Sequence, residues 1–420
     1  VMVSVLPCIS AEMVLKKGDR LAIVGDSITE QKLYSKIIET YLAACAPDLG
    51  VSCYLLGWSG ETAAGFTYRM ESDLIPWNPT IITTCYGMND GGYRAFTEKI
   101  GSEYEKNMRA IVERMKKSNI RVIVGSPGVV DSTAYRPLQP EDSEIYNKNL
   151  GELRNIAEKL ANEYGFPFAD LHNNMMDAMV KAKEKYGQKY PVAGWDGVHP
   201  GPNGQIIMAY TFLKSMGLDG NIGTISLNYP DKASGSEGHK IISCSSGSVS
   251  VSSSRYPFCF PGTDFSNAVK ILNFVAFQKD LNRMILKVDN LPMEKAAVTW
   301  GSRTKTYSRD ELSAGINIAE EFRNNPFCAG FRAVMEIVGK KQQFETVMVK
   351  NYFRTLRGME ADFKGDDEYM KAKKVMDLKL RTKHNAMLNS VLTSLKPLEH
   401  IITVKPVASE PEKDKEVEIE

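Results

Sequence analysis

A serine hydroxyl is a weak nucleophile until a base stands within hydrogen-bond reach, and an imidazole base works best when a carboxylate fixes its tautomer. One set of residues in this chain can meet both needs. Ser27 lies in Gly25-Asp26-Ser27-Ile28-Thr29, directly after the apolar run Leu21-Ala22-Ile23-Val24. Of the five histidines (172, 199, 239, 384 and 400), only His199 has a carboxylate three residues upstream, in Asp196-Gly197-Val198-His199-Pro200. Asp196 can accept from the imidazole Nδ1–H and leave Nε2 free for the serine proton. Acyl transfer also needs donors aimed at the developing oxyanion. The backbone N–H groups of Ser27 and Gly60, with the side-chain amide of Asn89, supply three. Gly60 sits in Gly57-Trp58-Ser59-Gly60-Glu61-Thr62 and Asn89 in Gly87-Met88-Asn89-Asp90. Without a Cβ, Gly60 lets a substrate approach the backbone closely.

Taken singly, each residue has an ordinary role open to it. Ser27 can cap a helix, Gly60 can serve a turn, Asn89-Asp90 and Asp196-Gly197 can be turn pairs, and His199 can be a satisfied surface histidine. Taken together they describe catalysis, because a triad needs all its members at once. Asp26 and Asp90 are expected to shape loops by accepting backbone N–H groups. His172 is expected at the surface or behind the site. Trp58 and Trp195 flank the motifs and are candidate substrate contacts, since an indole face can stack on a sugar ring; large aromatics also fill loop bases.

These loops must be positioned by regular elements. Leu21–Val24, Val51–Leu56, Thr80–Tyr86 and Arg121–Gly125 are short apolar runs, with a weaker fifth at Pro167–Asp170. Helical spacing lies between them, as in Leu33, Ile37, Ile38 and Tyr41, or Met108, Ile111, Val112 and Met115. Apolar strands alternating with amphipathic helices predict a parallel sheet covered on both faces, with ligands beyond the strands' carboxyl ends. Every motif named above falls at such an end or near the close of the alternating region.

In these four blocks, in this order, the chain resembles the SGNH hydrolases, or GDSL-type esterases, over about residues 19–216. The resemblance implies a three-layer α/β/α, flavodoxin-like parallel sheet. It gives Ser27, Asp196 and His199 the catalytic roles, and Ser27, Gly60 and Asn89 the oxyanion hole. It also implies hydrolysis of short acyl esters, acetyl above all, on carbohydrate, with no metal or organic cofactor. The same residues would serve a lipase, thioesterase or acyltransferase, or a non-catalytic carbohydrate-binding protein. The loop Gly91–Phe96 is too short and polar for a lipase lid.

The remainder differs in kind. Residues 12–220 are expected to form the hydrolase domain and 221–319 a β-rich accessory region, with alternating stretches such as Ser248-Val249-Ser250-Val251-Ser252. Leu281 to Ala319 resembles, more loosely, a β region appended to exported bacterial members of the family. Residues 320–396 read as a helical region, in which 340–396 form a helical hairpin broken at Gly365-Asp366-Asp367, with Phe344, Val347, Met348 and Tyr352 on one face and Leu388, Val391, Leu392 and Leu395 on another. Residues 397–420 read as a terminal strand and an acidic disordered tail.

Composition excludes several classes. The 420 residues carry 52 Lys plus Arg against 51 Asp plus Glu, so no global charge draws the chain to nucleic acid. No run is long and apolar enough to span a bilayer. Val1–Ala11 predicts the remnant of a secretory signal, and hence a secreted or periplasmic protein, although a first β-strand fits the same residues. Seven cysteines form no CxxC pair and no Cys/His cluster, which argues against structural zinc.

Overall fold

The computed structural model describes residues 14–133, 140–260 and 268–408; the leader-like run and the acidic tail from residue 409 lie outside them. The chain divides into two compact units. One comprises Val1–Gly220, Phe260–Leu281 and Gly330–Leu395, the other Asn221–Cys259, Asn282–Ala329 and Lys396–Glu420.

The first unit is built on a five-stranded sheet in the order β2-β1-β3-β4-β5. Its strands are β1 (Arg20–Gly25), β2 (Ser52–Gly57), β3 (Ile81–Cys85), β4 (Arg121–Gly125) and β5 (Phe168–Ala169). All pairs are parallel. The helices are α1 (Ser27–Glu30), α2 (Tyr34–Ala44), α3 (Ala63–Arg69), α4 (Glu98–Lys117), α5 (Pro140–Tyr164), α6 (Leu171–Tyr186) and α7 (Pro202–Ser215). Ala22 and Val24 share a core with Phe66 of α3, Tyr104, Met108, Ile111, Val112 and Met115 of α4, and Leu153 and Leu160 of α5. Helices α2, α6 and α7 pack together separately, with Tyr34 stacked on Phe212 at 5.5 Å. Burial on both faces is why these strands read as continuous apolar runs. The strand order reverses at β1, between β2 and β3, where such sheets open a crevice for ligands.

The C-terminal helices Cys328–Val347 and Asp367–Thr393 differ from their apolar-face expectation. Val334, Val338 and Val391 do form a small buried cluster with Leu395 against Ala43. Yet Lys341, Gln342 and Glu345 are fully buried, while Leu392 is exposed. The reason is the open edge of β2. Lys341 Nζ donates to the Cys53 carbonyl at 3.0 Å, and the Leu55 N–H donates to Glu345 Oε2 at 3.2 Å. Side chains thus satisfy backbone groups that a further strand would otherwise pair. Lys341 also lies 2.5 Å from Glu345 and 3.1 Å from Glu39. Gln342 donates to Glu39 and accepts from Ser35, and His384 Nε2 lies 2.6 Å from Glu345 Oε1. Burial pushes the Glu39 carboxyl up to about 7, against the pull of Lys341 and with the charge of Glu345 adding to the rise.

The second unit holds two sheets, in the orders β13-β10-β6-β7 and β12-β11-β14-β9-β8. Their strands are β6 (Asn221–Asn228), β7 (Lys232–Gly235), β8 (His239–Ser245), β9 (Ser248–Ser253), β10 (Arg283–Asp289), β11 (Lys295–Trp300), β12 (Arg303–Ser308), β13 (Ile316–Asn317) and β14 (Leu398–Val407). The Ser/Val alternation buries Val249 and Val251. Four buried side chains form a relay. Trp300 Nε1–H donates to His400 Nδ1, so His400 Nε2–H donates to Ser253, Ser253 to His239 Nδ1, and His239 Nε2–H to the Ile222 carbonyl. Burial lowers the His400 pKa to about 4, so its imidazole is neutral, as the relay requires.

Domain boundaries therefore follow contacts and not sequence order. Phe260–Leu281 and Gly330–Leu395 belong with the α/β sheet, the latter because its polar side chains pair with β2. Lys396 onward belongs with the β unit, because β14 fills the gap between β11 and β9.

Candidate active site

Each motif begins where a strand stops. Ser27 opens α1 straight after β1; Trp58 to Thr62 follow β2; Gly87 to Asp90 follow β3. The helix N-cap is Asp26, whose Oδ1 accepts from the Ile28 N–H at 2.9 Å, so the capping role open to Ser27 is already filled. Asp90 accepts from the Ala63 and Gly87 N–H groups and ties the second motif to the third. Burial pushes Asp26 up to about 7 and Asp90 to about 6, each held back by its backbone donors.

The serine, histidine and aspartate meet across 172 residues of sequence. His199 Nε2 lies 2.8 Å from Ser27 Oγ, and His199 Nδ1 lies 2.6 Å from Asp196 Oδ2. Asp196 Oδ1 accepts the Val198 and His199 N–H groups, both at 2.9 Å, which locks the loop. Burial raises the Asp196 pKa, but these two amides and the imidazole outweigh it and hold the carboxylate below its ordinary range. Gly194 shapes the same loop: its φ is +84°, and a Cβ there would lie 1.8 Å from the His199 carbonyl oxygen.

The three oxyanion candidates are also disposed at the strand ends. Gly60 has φ +73°, which favours glycine, and the space beside its Cα is open. Among the described residues, neither the Ser27 nor the Gly60 N–H meets an acceptor. Asn89 Nδ2 donates to the Glu61 carbonyl at 2.9 Å, and its Oδ1 accepts from Tyr93, which leaves the second amide N–H for a ligand.

A bracing network escaped sequence reasoning. Buried Glu61 receives both Nε and Nη2 of Arg69 and the Tyr86 hydroxyl, and so holds the Gly60 turn onto β2 and β3. Its one local signal was the Arg69/Asp73 pair at helical spacing. His172 is buried and not at the surface, because Nδ1 bonds the Gly128 carbonyl and its backbone N–H bonds Ser126. Trp195 is 91% exposed beside Asp196. It lines a cavity of about 460 Å³ with Tyr186, Tyr190 and Lys270. Trp58 has Arg69, Lys350 and Arg354 at 5.2–5.8 Å from its ring centroid. Cys45, Cys53, Cys85 and Cys244 are free thiols. Among the described residues no helix is long and apolar enough to cross a membrane.

Residues 23–206 match the model of the GDSL-like Lipase/Acylhydrolase family, which makes this part of the chain an SGNH hydrolase domain. An acetylxylan esterase of Geobacillus stearothermophilus is 25% identical over 230 residues, covering 49% of this chain and 98% of the esterase. A solved gut microbial diltiazem-metabolizing enzyme shares the fold, with a TM-score of 0.72 at 20% identity over 93% of this chain and 98% of that one. The protein is a carboxylic ester hydrolase.

Proposed function

We propose that this hydrolase removes short acyl groups, acetyl in particular, from carbohydrate by a serine acyl-enzyme mechanism. The observation that carries the reading is the hydrogen-bond chain from Ser27 through His199 to Asp196, beside two backbone N–H groups that meet no acceptor among the described residues. In the first half-reaction, Ser27 Oγ attacks the ester carbonyl as its proton passes to His199 Nε2. Negative charge gathers on the carbonyl oxygen, where the Ser27 and Gly60 amides and Asn89 stabilise it. His199 then protonates the leaving sugar alkoxide, and the acyl group stays on Ser27. In the second half, water loses a proton to His199, attacks the acyl-enzyme and releases the carboxylic acid. Asp196 keeps the imidazole in the required tautomer throughout.

Two observations support an acetylated sugar as substrate. The acetylxylan esterase aligns over nearly its whole length, and the exposed indole of Trp195 stands directly beside the acid of the triad. The test is hydrolysis of an aryl-ester series from acetyl to octanoyl, then acetate release from acetylated xylo-oligosaccharides, with Ser27→Ala beside the wild type. Rates highest at acetyl and abolished in Ser27→Ala are expected. A preference for octanoyl, or full activity in the variant, overturns the reading.

A further inference from the structure

A second cavity, of about 330 Å³, opens beside Gly60. Its lining includes Trp58, Gly60, Thr62, Tyr68, the paired Glu61 and Arg69, and Arg354 and Arg357. The acids around it are each engaged by a cation. Glu61 holds Arg69 at 2.5 Å, Glu30 holds Lys350 at 2.7 Å, and Asp73 pairs with Arg357 while also lying 3.5 Å from Arg69. Each acid is thereby matched to a cation. Arg354 is left over: it is exposed, has no ion pair or hydrogen bond among the described residues, and lies 5.8 Å from the Trp58 ring centroid. The cavity therefore presents one uncompensated guanidinium, an indole face and the Tyr68 phenol, which is 87% exposed. All of this lies next to an amide assigned above to the oxyanion.

We infer that this cavity is a subsite for a carboxylate carried by the ester substrate, with Arg354 as the residue that selects for it. The inference rests on the esterase reading. A planar guanidinium offers two parallel N–H donors to a carboxylate, and the indole beside it limits how water can screen the pair. Neutral acyl sugars would leave Arg354 without a partner, whereas acylated sugar acids, or other esters bearing a carboxylate near the scissile bond, would fill the subsite. Thr62 adds a hydroxyl: its oxygen caps α3 by accepting from the Gly65 N–H, which leaves the O–H free to donate.

The test compares two aryl acetates of nearly equal shape, 3-acetoxybenzoate and 3-acetoxybenzamide, through the ratio of their kcat/KM values. In the wild type at low salt the ratio favours the anion by about tenfold, and it falls as salt screens the charge. In Arg354→Gln the ratio drops to about one, and in Arg354→Glu it inverts. Lys106→Gln, which removes an exposed lysine from α4, leaves the ratio at its wild-type value. A wild-type ratio near one, or a ratio unchanged in Arg354→Gln, overturns the subsite. Failure of the wild type to hydrolyse either ester overturns the esterase reading instead.

Discussion

Replacing Lys341 by Met isolates the cost of leaving the β2 edge and two acids without their shared cation. The methionine keeps the length and most of the volume, so cavity formation contributes little. What is lost is the donor to the Cys53 carbonyl and the positive charge 2.5 Å from Glu345 and 3.1 Å from Glu39. At an effective dielectric near 20, each pair at about 3 Å is worth on the order of 5 kcal/mol. The penalty for burying the ammonium offsets much of that sum, and breaking a buried pair by removing one partner typically costs about 3–5 kcal/mol. Glu39 gives the loss a pH signature. Its native carboxyl titrates near 7, and without Lys341 it titrates higher. Below pH 7 it is protonated in both proteins. Above pH 7 the wild type holds the anion beside a lysine and the variant does not. The deficit of the variant therefore grows with pH, by up to about 2 kcal/mol between pH 6 and 8.5. Urea unfolding can follow Trp77, whose ring lies 4.7 Å from that of His384 in the same network. A loss below about 1 kcal/mol at pH 8.5, or the same loss at pH 6, would refute the reasoning.

Other outcomes follow from the site. Asn89→Ala should lower kcat for aryl acetate by about 10²–10³ with Tm little changed, the usual loss of one oxyanion donor; steady-state kinetics beside a melting curve checks it. Gly194→Ala should abolish most activity while the protein stays folded, since its Cβ meets the His199 carbonyl; burst kinetics would show acylation failing first. Asp26 has a native pKa raised to about 7, so its contribution to stability is complete below its unfolded pKa near 4 and is lost as pH rises through 7. Asp26→Asn keeps an oxygen for the Ile28 N–H and should flatten the fall in stability between pH 4 and 7.5, which amounts to at most about 4 kcal/mol, as thermal melts across that range would show.

Some of this was legible because it is local. Ser27, Gly60 and Asn89 each lie within a few residues of an apolar strand, and Asp196 and His199 are three residues apart, so strand pattern and motif sufficed. The loop roles of Asp26 and Asp90 were legible for the same reason: short acids after strands accept nearby amides. What escaped was set by distant partners. The buried face of the Cys328–Val347 helix is polar because β2 has an unpaired edge, and nothing in the local spacing of Lys341, Gln342 and Glu345 announces that edge. For His172 the surface and a place behind the site both stayed open, because its partner, the Gly128 carbonyl, lies in a loop 44 positions earlier. The place of β14 in the middle of a sheet rests on pairing with β9 and β11, which lie far upstream.

The discontinuity of the α/β unit bears on how the protein is made. When Gly220 has been synthesised, every triad residue and all five strands of the parallel sheet already exist. The outer edge of β2 then still lacks Lys341 and Glu345, which arrive about 125 residues later. At roughly 5–20 residues per second that is a wait of about 6–25 s. During it a nascent chain carries a complete set of reactive groups on a sheet with one raw edge, the state in which strands pair with neighbours on the same polysome. A ribosome stalled between residues 220 and 330 should hold a protease-sensitive, chaperone-bound chain. One stalled with residue 395 clear of the exit tunnel should hold a resistant one.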